Sequence, residues 1–586
     1  MDLLLFLALS AAVLAFAYRL IGSKLAAVFS LKDAENTPAH QRPDGLDYEP
    51  ARASYLLPQH FSAIAAAGPI VGPILAGLYF GWGPAWLWII FGSILIGGIH
   101  DFTALVASVR HRARSIAQVV REHMNPRAHL LFLLFIWFAL VYVIIAFADV
   151  TAGTFVAPPS AATAEAPGPA VATSSALYLL LAVGMGLVLR FTGISGARAK
   201  LIFLPLVFAA IVLGPYLPID MAALLPGANP QVVWGYILLA YCFLAALAPV
   251  WLLLQPRGEL GGYFLYIVMI AGVVGIGVGA LSGSLHIQQP FFKGWQATDS
   301  FGSAAPLFPI LFITVACGAC SGFHSVVASG TTSKQLRCEL DARPVAYGSM
   351  LLEAFFACLS LATLMILAQP AGGPSAIYAN GIANFTHQAL SPLLPAGVEL
   401  RAVLYQFALL CFATFVFDTL DACTRLARYV LMELLGWSSR PQAILATAIT
   451  LVLPAIAISI PRVQFAGKPL PLWQVFWGIF GSSNQLLAAL TLLGITVWLA
   501  RKGLPYWVAL GPTLFMMTMT LWSLLISIGP YLALWQDNAS IETIRHFQFL
   551  ITVSLIALSV WLIAEALLTW RTFLRPPQRA PETALA

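Results

Sequence analysis

Charge is what this sequence has least of. Only 9% of its 586 residues are Asp, Glu, Lys or Arg, and 60% are apolar, with a mean hydropathy of +0.87. A soluble domain carries roughly 25% charged residues, so a chain of this size has no water-facing shell to offer and the soluble enzyme folds are excluded. No basic tract runs longer than a few residues, which sets aside nucleic acid. Seven cysteines are present, mostly inside apolar runs and without paired spacing in a polar loop, so no disulfide framework is implied. A Walker sequence is lacking too, which disfavours an ATP-driven pump. What remains is a polytopic membrane protein whose chemistry lies among its helices.

A bilayer core needs about 20 apolar residues of helix. Fifteen segments meet that length, at 3–21, 60–80, 82–107, 128–149, 174–190, 200–218, 232–255, 260–284, 306–330, 344–368, 402–421, 442–460, 473–499, 506–527 and 547–570. The chain opens Met1-Asp2 with no basic region before the first apolar run, so that run reads as a retained helix rather than a signal peptide. Cytoplasmic loops keep Lys and Arg. With the N-terminus outside and the C-terminus cytoplasmic, only Lys293, Arg401, Arg462, Lys468 and Arg545 of the 30 basic residues fall outside. One helix more or fewer in the middle would spoil that asymmetry. The longest external loops, 150–173 and 369–401, are rich in Ala, Pro, Ser and Gly and offer no soluble domain.

Unpaired backbone is not tolerated in hydrocarbon, so a helix interrupted at mid-membrane lines a cavity or holds something. The second span holds Gly68-Pro69 and Gly72-Pro73. Each proline removes an amide donor and clashes with a carbonyl four residues back, which either frees backbone around Ala65 to Pro69, about 8 to 14 Å along a helix starting at His60, or leaves a kinked helix packed on its glycines. The ninth span carries Ser321, Ser325 and Ser329 every four residues, on one face, as ligands for a small cation or a carboxylate or as packing residues bonded to their own carbonyls. Cys317, Cys320 and His324 lack a fourth ligand nearby, so no metal is expected.

Charges inside apolar runs mark partners or wet pathways. Glu353 lies about 14 Å into its span and suits either proton coupling or neutral packing. Asp101 follows His100 in the third span and has Arg110 as a candidate partner. Asp421 and Arg425 have the i, i+4 spacing of a structural ion pair, with Asp418 on the same face.

Several stretches together resemble the carbon starvation protein A family of bacterial inner-membrane transporters. They are Gln59-His60-Phe61 through Pro73, Gly97 to Phe102, Phe312 through Gly322-Phe323-His324 to Thr332, Asp421 to Arg428, and Phe480 through Asn484-Gln485 to Ala489. The resemblance implies a secondary active transporter that takes up small peptides, or pyruvate with protons, during carbon starvation. It also implies an all-α fold of the LeuT-like five-plus-five inverted-repeat type with accessory helices. Counting spans puts the N-terminal accessory helix and loop in 1–58, the repeats in 59–227 and 228–436, and the C-terminal accessory helices in 437–586. The seventh span, which would open the second repeat, has its own break at Ala248-Pro249.

In that fold the first broken helix and the eighth core helix hold a coupling cation. The expected substrate site is therefore His60, Ala65, Gly68, Pro69, Gly72, Pro73, Ser321 and His324, with coupling of H+ or Na+ through Ser325, Ser329, Thr332, Asp101 and Glu353. Asn484 and Gln485 are expected to stitch helices together. No cofactor is implied, and the partners are the solute and the lipid bilayer, with an oligomer left open. An ion channel would need a filter sequence and a membrane-embedded enzyme a convergent catalytic constellation. Neither is apparent in the sequence.

Overall fold

The computed structural model describes residues 2–33, 36–44, 47–65, 67–156, 167–298, 304–390, 393, 400–460, 464–465, 468–469, 472–536 and 543–574. Its helices are α1 (Asp2–Val28), α2 (Pro38–Gln41), α3 (Ala53–Ile64), α4 (Gly68–Phe80), α5 (Trp82–Gly92), α6 (Gly98–Arg110), α7 (Ile116–His123), α8 (Pro126–Thr154), α9 (Pro167–Phe191), α10 (Gly196–Leu213) and α11 (Met221–Leu224). The second half of the chain holds α12 (Pro230–Leu247), α13 (Leu254–Leu281), α14 (Leu307–Thr314), α15 (Gly322–Gly330), α16 (Ser349–Met365), α17 (Pro374–Leu390), α18 (Arg401–Leu435), α19 (Arg440–Ser459), α20 (Leu472–Arg501), α21 (Trp507–Gln536) and α22 (Thr543–Leu574). Two small antiparallel hairpins are the β-structure among the described residues: β1 (Gln296–Thr298) with β2 (Ala304–Pro306), and β3 (Gln464–Phe465) with β4 (Lys468–Pro469).

The fold is all-α and polytopic. Thirteen described helices are long and apolar enough to cross a membrane, and α3 with α4 makes a fourteenth span bent by 45°. The remaining expected span is α14 with α15, of eight and nine residues, separated by residues 315–321. Both interruptions read from the sequence are thus real breaks. The Gly-Pro pairs end α3 at Ala65 and start α4 at Gly68, where proline suits a first helical turn. Each broken span is followed by a π-helical turn, Ser93–Gly97 between α5 and α6 and Arg343–Gly348 ahead of α16. Gly81 makes the corner between α4 and α5 at φ 90°, with a carbonyl of Phe291 where a Cβ would sit.

Three expectations need correcting. Residues 374–390, assigned to an external loop, form α17, packed against α13 and α18. Its buried Ile377, Tyr378, Ile382 and Phe385 make an apolar stripe that intervening Asn, Gly and His dilute below the hydropathy of a span. The break at Ala248-Pro249 is the end of α12, beyond which the chain turns and begins α13 at Leu254. Arg257, which falls between the expected spans 232–255 and 260–284, is therefore inside α13 and fully buried. The expected loop at 150–173 is largely replaced by the ends of α8 and α9, and residues 157–166 lie outside the described residues.

Candidate functional site: a buried polar centre where two broken helices meet

The two breaks lie against each other. A Cβ on Gly68 would fall 2.3 Å from the Cys317 side chain, and one on Gly72 would fall 2.6 Å from the Thr314 carbonyl. Only glycine permits that approach. Small residues at a helix crossing are how membrane bundles bring backbones close.

The backbone freed at the second break is taken up by side chains of its neighbours. Trp88 Nε1 donates to the Val315 carbonyl at 3.1 Å, and Gln485 Nε2 donates to Phe312 O at 3.1 Å. Asn484 Oδ1 accepts from the Phe323 amide at 2.9 Å, and Asn484 Nδ2 donates to Ser321 Oγ at 3.0 Å. Asn484 thus caps the first turn of α15 from another helix, and both amides do stitch helices. At the first break, Thr419 Oγ1 on α18 donates to the Ala63 carbonyl at 3.3 Å.

Next to the second break is a chain of titratable groups, each fully buried. Asp101 on α6 accepts from His100 Nδ1 at 2.7 Å through one oxygen and from His324 Nδ1 at 2.8 Å through the other. Both imidazoles therefore carry hydrogen on Nδ1. His324 Nε2 faces Glu353 Oε2 of α16 at 3.4 Å. The Nε2 atoms of His100 and His324 and both oxygens of Glu353 have no hydrogen-bond partner. Near the first break His60 Nδ1 lies 2.8 Å from Thr332 Oγ1, and its Nε2 is also unpartnered. Unsatisfied buried polar atoms are costly, and their concentration here sets this centre apart from the bundle's packing.

The structure places the expected site residues His60, His324, Asp101, Glu353 and Thr332 as buried polar groups near the breaks. Other assignments change. Ser325 Oγ donates to the Gly322 carbonyl at 2.7 Å and meets Thr491 of α20 at 3.1 Å. Ser329 Oγ accepts from the Ile116 amide at 3.3 Å. The serine face is turned to α20 and α7, not to the first break. Asp101 pairs with the histidines, while Arg110 goes to Glu339 at 3.1 Å.

Asp421 does not pair with Arg425. Its partners are Arg257 and Tyr241, and Arg425 donates instead to the Ala245 and Ala248 carbonyls at 2.8 and 2.5 Å. The reason is geometric: Arg257 reaches both Asp418 and Asp421 from α13, and a planar guanidinium satisfies two carboxylates at once. Asp418 in turn accepts from Ser62 on α3. Arg257 was missed because it falls in the gap between two expected spans, where Pro256, Gly258 and Glu259 give the stretch the look of a loop. The available signal was Asp418 without a cation of its own.

Two cavities border α15. A small one of about 10 Å³, the size of one water, lies between α3, α13, α15 and α18 and is lined by His60, Thr332 and Asp418 among others. A larger one of about 490 Å³ opens at the C-terminal end of α15, lined by Ser329, Lys334, Arg114, Arg121 and Glu433 among others.

Many apolar helices around a broken-helix centre with buried titratable groups define a multi-pass membrane protein of the transporter class. The model of the carbon starvation protein CstA family matches residues 2–372 and 369–523. The chain belongs to that family, and it is a transporter rather than an enzyme. The "Peptide transporter CstA" of Mycobacterium tuberculosis (strain H37Rv) is 31% identical over 580 residues, covering 88% of this chain and 74% of the relative. The "Pyruvate/proton symporter BtsT" of Escherichia coli (strain K12) is 30% identical over 606 residues, 88% of this chain and 80% of the relative. Among solved structures, a manganese transporter of Eremococcus coleocola aligns with 90% of this chain and 99% of its own at a TM-score of 0.49 and 13% identity. MhsT in complex with L-phenylalanine aligns with 89% and 98% at 0.45 and 13%.

Proposed function

We propose that this protein is a proton-coupled secondary active transporter of the bacterial inner membrane. It takes up small carboxylate-bearing nutrients, short peptides or pyruvate, by alternating access around the two broken helices. The observation that carries the reading is the buried chain His100–Asp101–His324–Glu353 at the second break. Adding or removing a proton there changes the charge of a fully buried site. That gives two conformations the differential free energy a coupled transporter needs.

Sodium is the weaker choice of coupling ion. With repeats opening at α3 and α14 instead of at residues 59 and 228, α18 becomes the eighth core helix, and its contact with α3 is where a cation is expected. That contact holds the guanidinium of Arg257 between Asp418 and Asp421, and Ser325 and Ser329 face elsewhere. Lys334, Arg114 and Arg121 around the larger cavity suit an anionic solute. The relatives' names support both peptides and pyruvate.

Packing also suggests how the repeats divide. α8 packs on α18 and α12 on α19, while α13 packs on α3 as α20 packs on α15. Repeats opening at α3 and α14, each as a broken helix followed by a π-turn, match this pattern better than a division at residue 228. In this reading α9, α10 and α17 are insertions, the N-terminus is outside, and the α15 cavity opens to the cytoplasm.

The test is uptake of labelled pyruvate and di- and tripeptides into proteoliposomes under imposed proton or sodium gradients. One pH unit is 1.36 kcal/mol, so one coupled proton supports about tenfold accumulation. Glu353→Gln should equilibrate solute without concentrating it. Accumulation driven by sodium alone, or retained proton-driven accumulation in Glu353→Gln, would overturn the reading.

A further inference from the structure

Outside the transport centre, a second group of ligating side chains sits where α6 turns into α7. His111 follows α6, and Glu122 and His123 end α7. Between them Arg112 and Ala113 take left-handed backbone, at φ 63° and 54°, which costs a non-glycine residue roughly 1 to 2 kcal/mol. The Ala113 amide donates to Ser108 O at 2.8 Å, and Ser108 Oγ donates to Arg114 O at 2.7 Å, holding the turn closed.

The result is two imidazoles with Nε2 atoms 2.8 Å apart and ring planes at 87°. His111 Nδ1 lies 2.6 Å from the Ala107 carbonyl. A carbonyl only accepts, so the ring hydrogen is on Nδ1 and Nε2 presents a lone pair. That backing by a carbonyl is how proteins orient a metal-binding histidine. Trp498 packs edge-on against the same ring. Glu122 Oε2 lies 3.8 Å from His111 Nε2.

We infer that His111 Nε2, His123 Nε2 and Glu122 Oε2 form a site for a divalent transition metal of the zinc type. Three protein ligands and a water complete a tetrahedron. The three ligating atoms lie within 4.8 Å of one another, so small side-chain shifts bring them to one ion. The site joins the end of α6, ten residues beyond Asp101, to α7, and α7 is tied to α18 through Glu433, which accepts from Ser115 and Gln118.

The opposing groups are Arg114, which holds Glu122 Oε1 at 3.0 Å and leaves Oε2 for the ion, and the Arg501 and Lys502 cations at the end of α20. Competing with the metal is a direct hydrogen bond from His123 Nε2 to His111 Nε2.

Purified full-length protein, stripped with chelator, loaded with Zn²⁺ and desalted, would be assayed for bound metal. Cobalt(II) substitution would report coordination through its visible spectrum. One zinc per chain is expected, lost in His111→Gln and in His123→Gln and kept in His40→Gln. His123 is only partly buried, so its substitution leaves the fold intact. Wild-type protein that retains no zinc, or His123→Gln that retains as much as wild type, would reduce the cluster to a hydrogen-bonded pair and overturn the inference. Either result leaves the uptake assay of the transport reading unaffected.

Discussion

Replacing Arg257 with methionine removes the cation that Asp418 and Asp421 share and leaves the rest of α13 in place. In the structure the guanidinium approaches Asp418 Oδ1 at 2.5 Å, contacts Asp421 Oδ2, and donates to Tyr241 Oη at 2.7 Å. Its side chain is fully buried and those of the aspartates are 3% and 4% exposed, so water cannot replace it. Breaking a buried pair by removing one partner costs about 3–5 kcal/mol. Ser62 and Tyr241 still donate to the two carboxylates, which places the expected loss near the lower end, at about 3 kcal/mol.

Thermal and chemical denaturation of purified protein in detergent would measure that loss. Arg257→Lys should fall between, since an ammonium is a point charge and spans two carboxylates poorly. The combined variant Arg257→Met, Asp418→Asn, Asp421→Asn should recover at least half of it, because no uncompensated charge remains. Denaturation of Arg257→Met together with wild type would refute the argument. So would a triple variant no more stable than the single one.

Other consequences are as specific. His324→Gln breaks the link between Asp101 and Glu353, and should abolish proton-driven accumulation while solute exchange across the liposome membrane continues; counterflow and gradient-driven uptake measured side by side separate the two. Asn484→Leu leaves the Phe323 amide and Ser321 without their partner, and should cost about 0.5–2 kcal/mol as a lost helix cap, read as a lower denaturation midpoint. Gly72→Ala puts a methyl into the Thr314 carbonyl and should destabilise by about 1–3 kcal/mol. Gly277→Ala, which meets nothing within 4 Å, should be neutral or stabilising, and equal effects at the two positions would argue against the close approach of the breaks.

Much of the fold was legible along the chain because a bilayer imposes one-dimensional rules. Length and hydropathy locate spans, and proline with glycine locates breaks, since both act on consecutive residues. His60, Asp101, His324 and Glu353 stood out for the same reason: an ionisable group inside an apolar run is conspicuous. The helix α17 was hidden because polar residues dilute its apolar stripe, and Arg257 because hydropathy does not distinguish a charged helix start from a loop.

The linear pattern therefore determined that this chain is a polytopic membrane protein, that two of its spans are interrupted, and which ionisable side chains lie inside apolar runs. Which groups meet was decided only by the packing of helices distant in sequence. Asp421 lies four residues from Arg425 yet takes Arg257, 164 residues away. Asp101 lies nine residues from Arg110 yet takes His324. A side chain's partner is set by the direction in which its helix face points and by the cost of leaving any charge unpaired away from water, and neither quantity is local to the sequence.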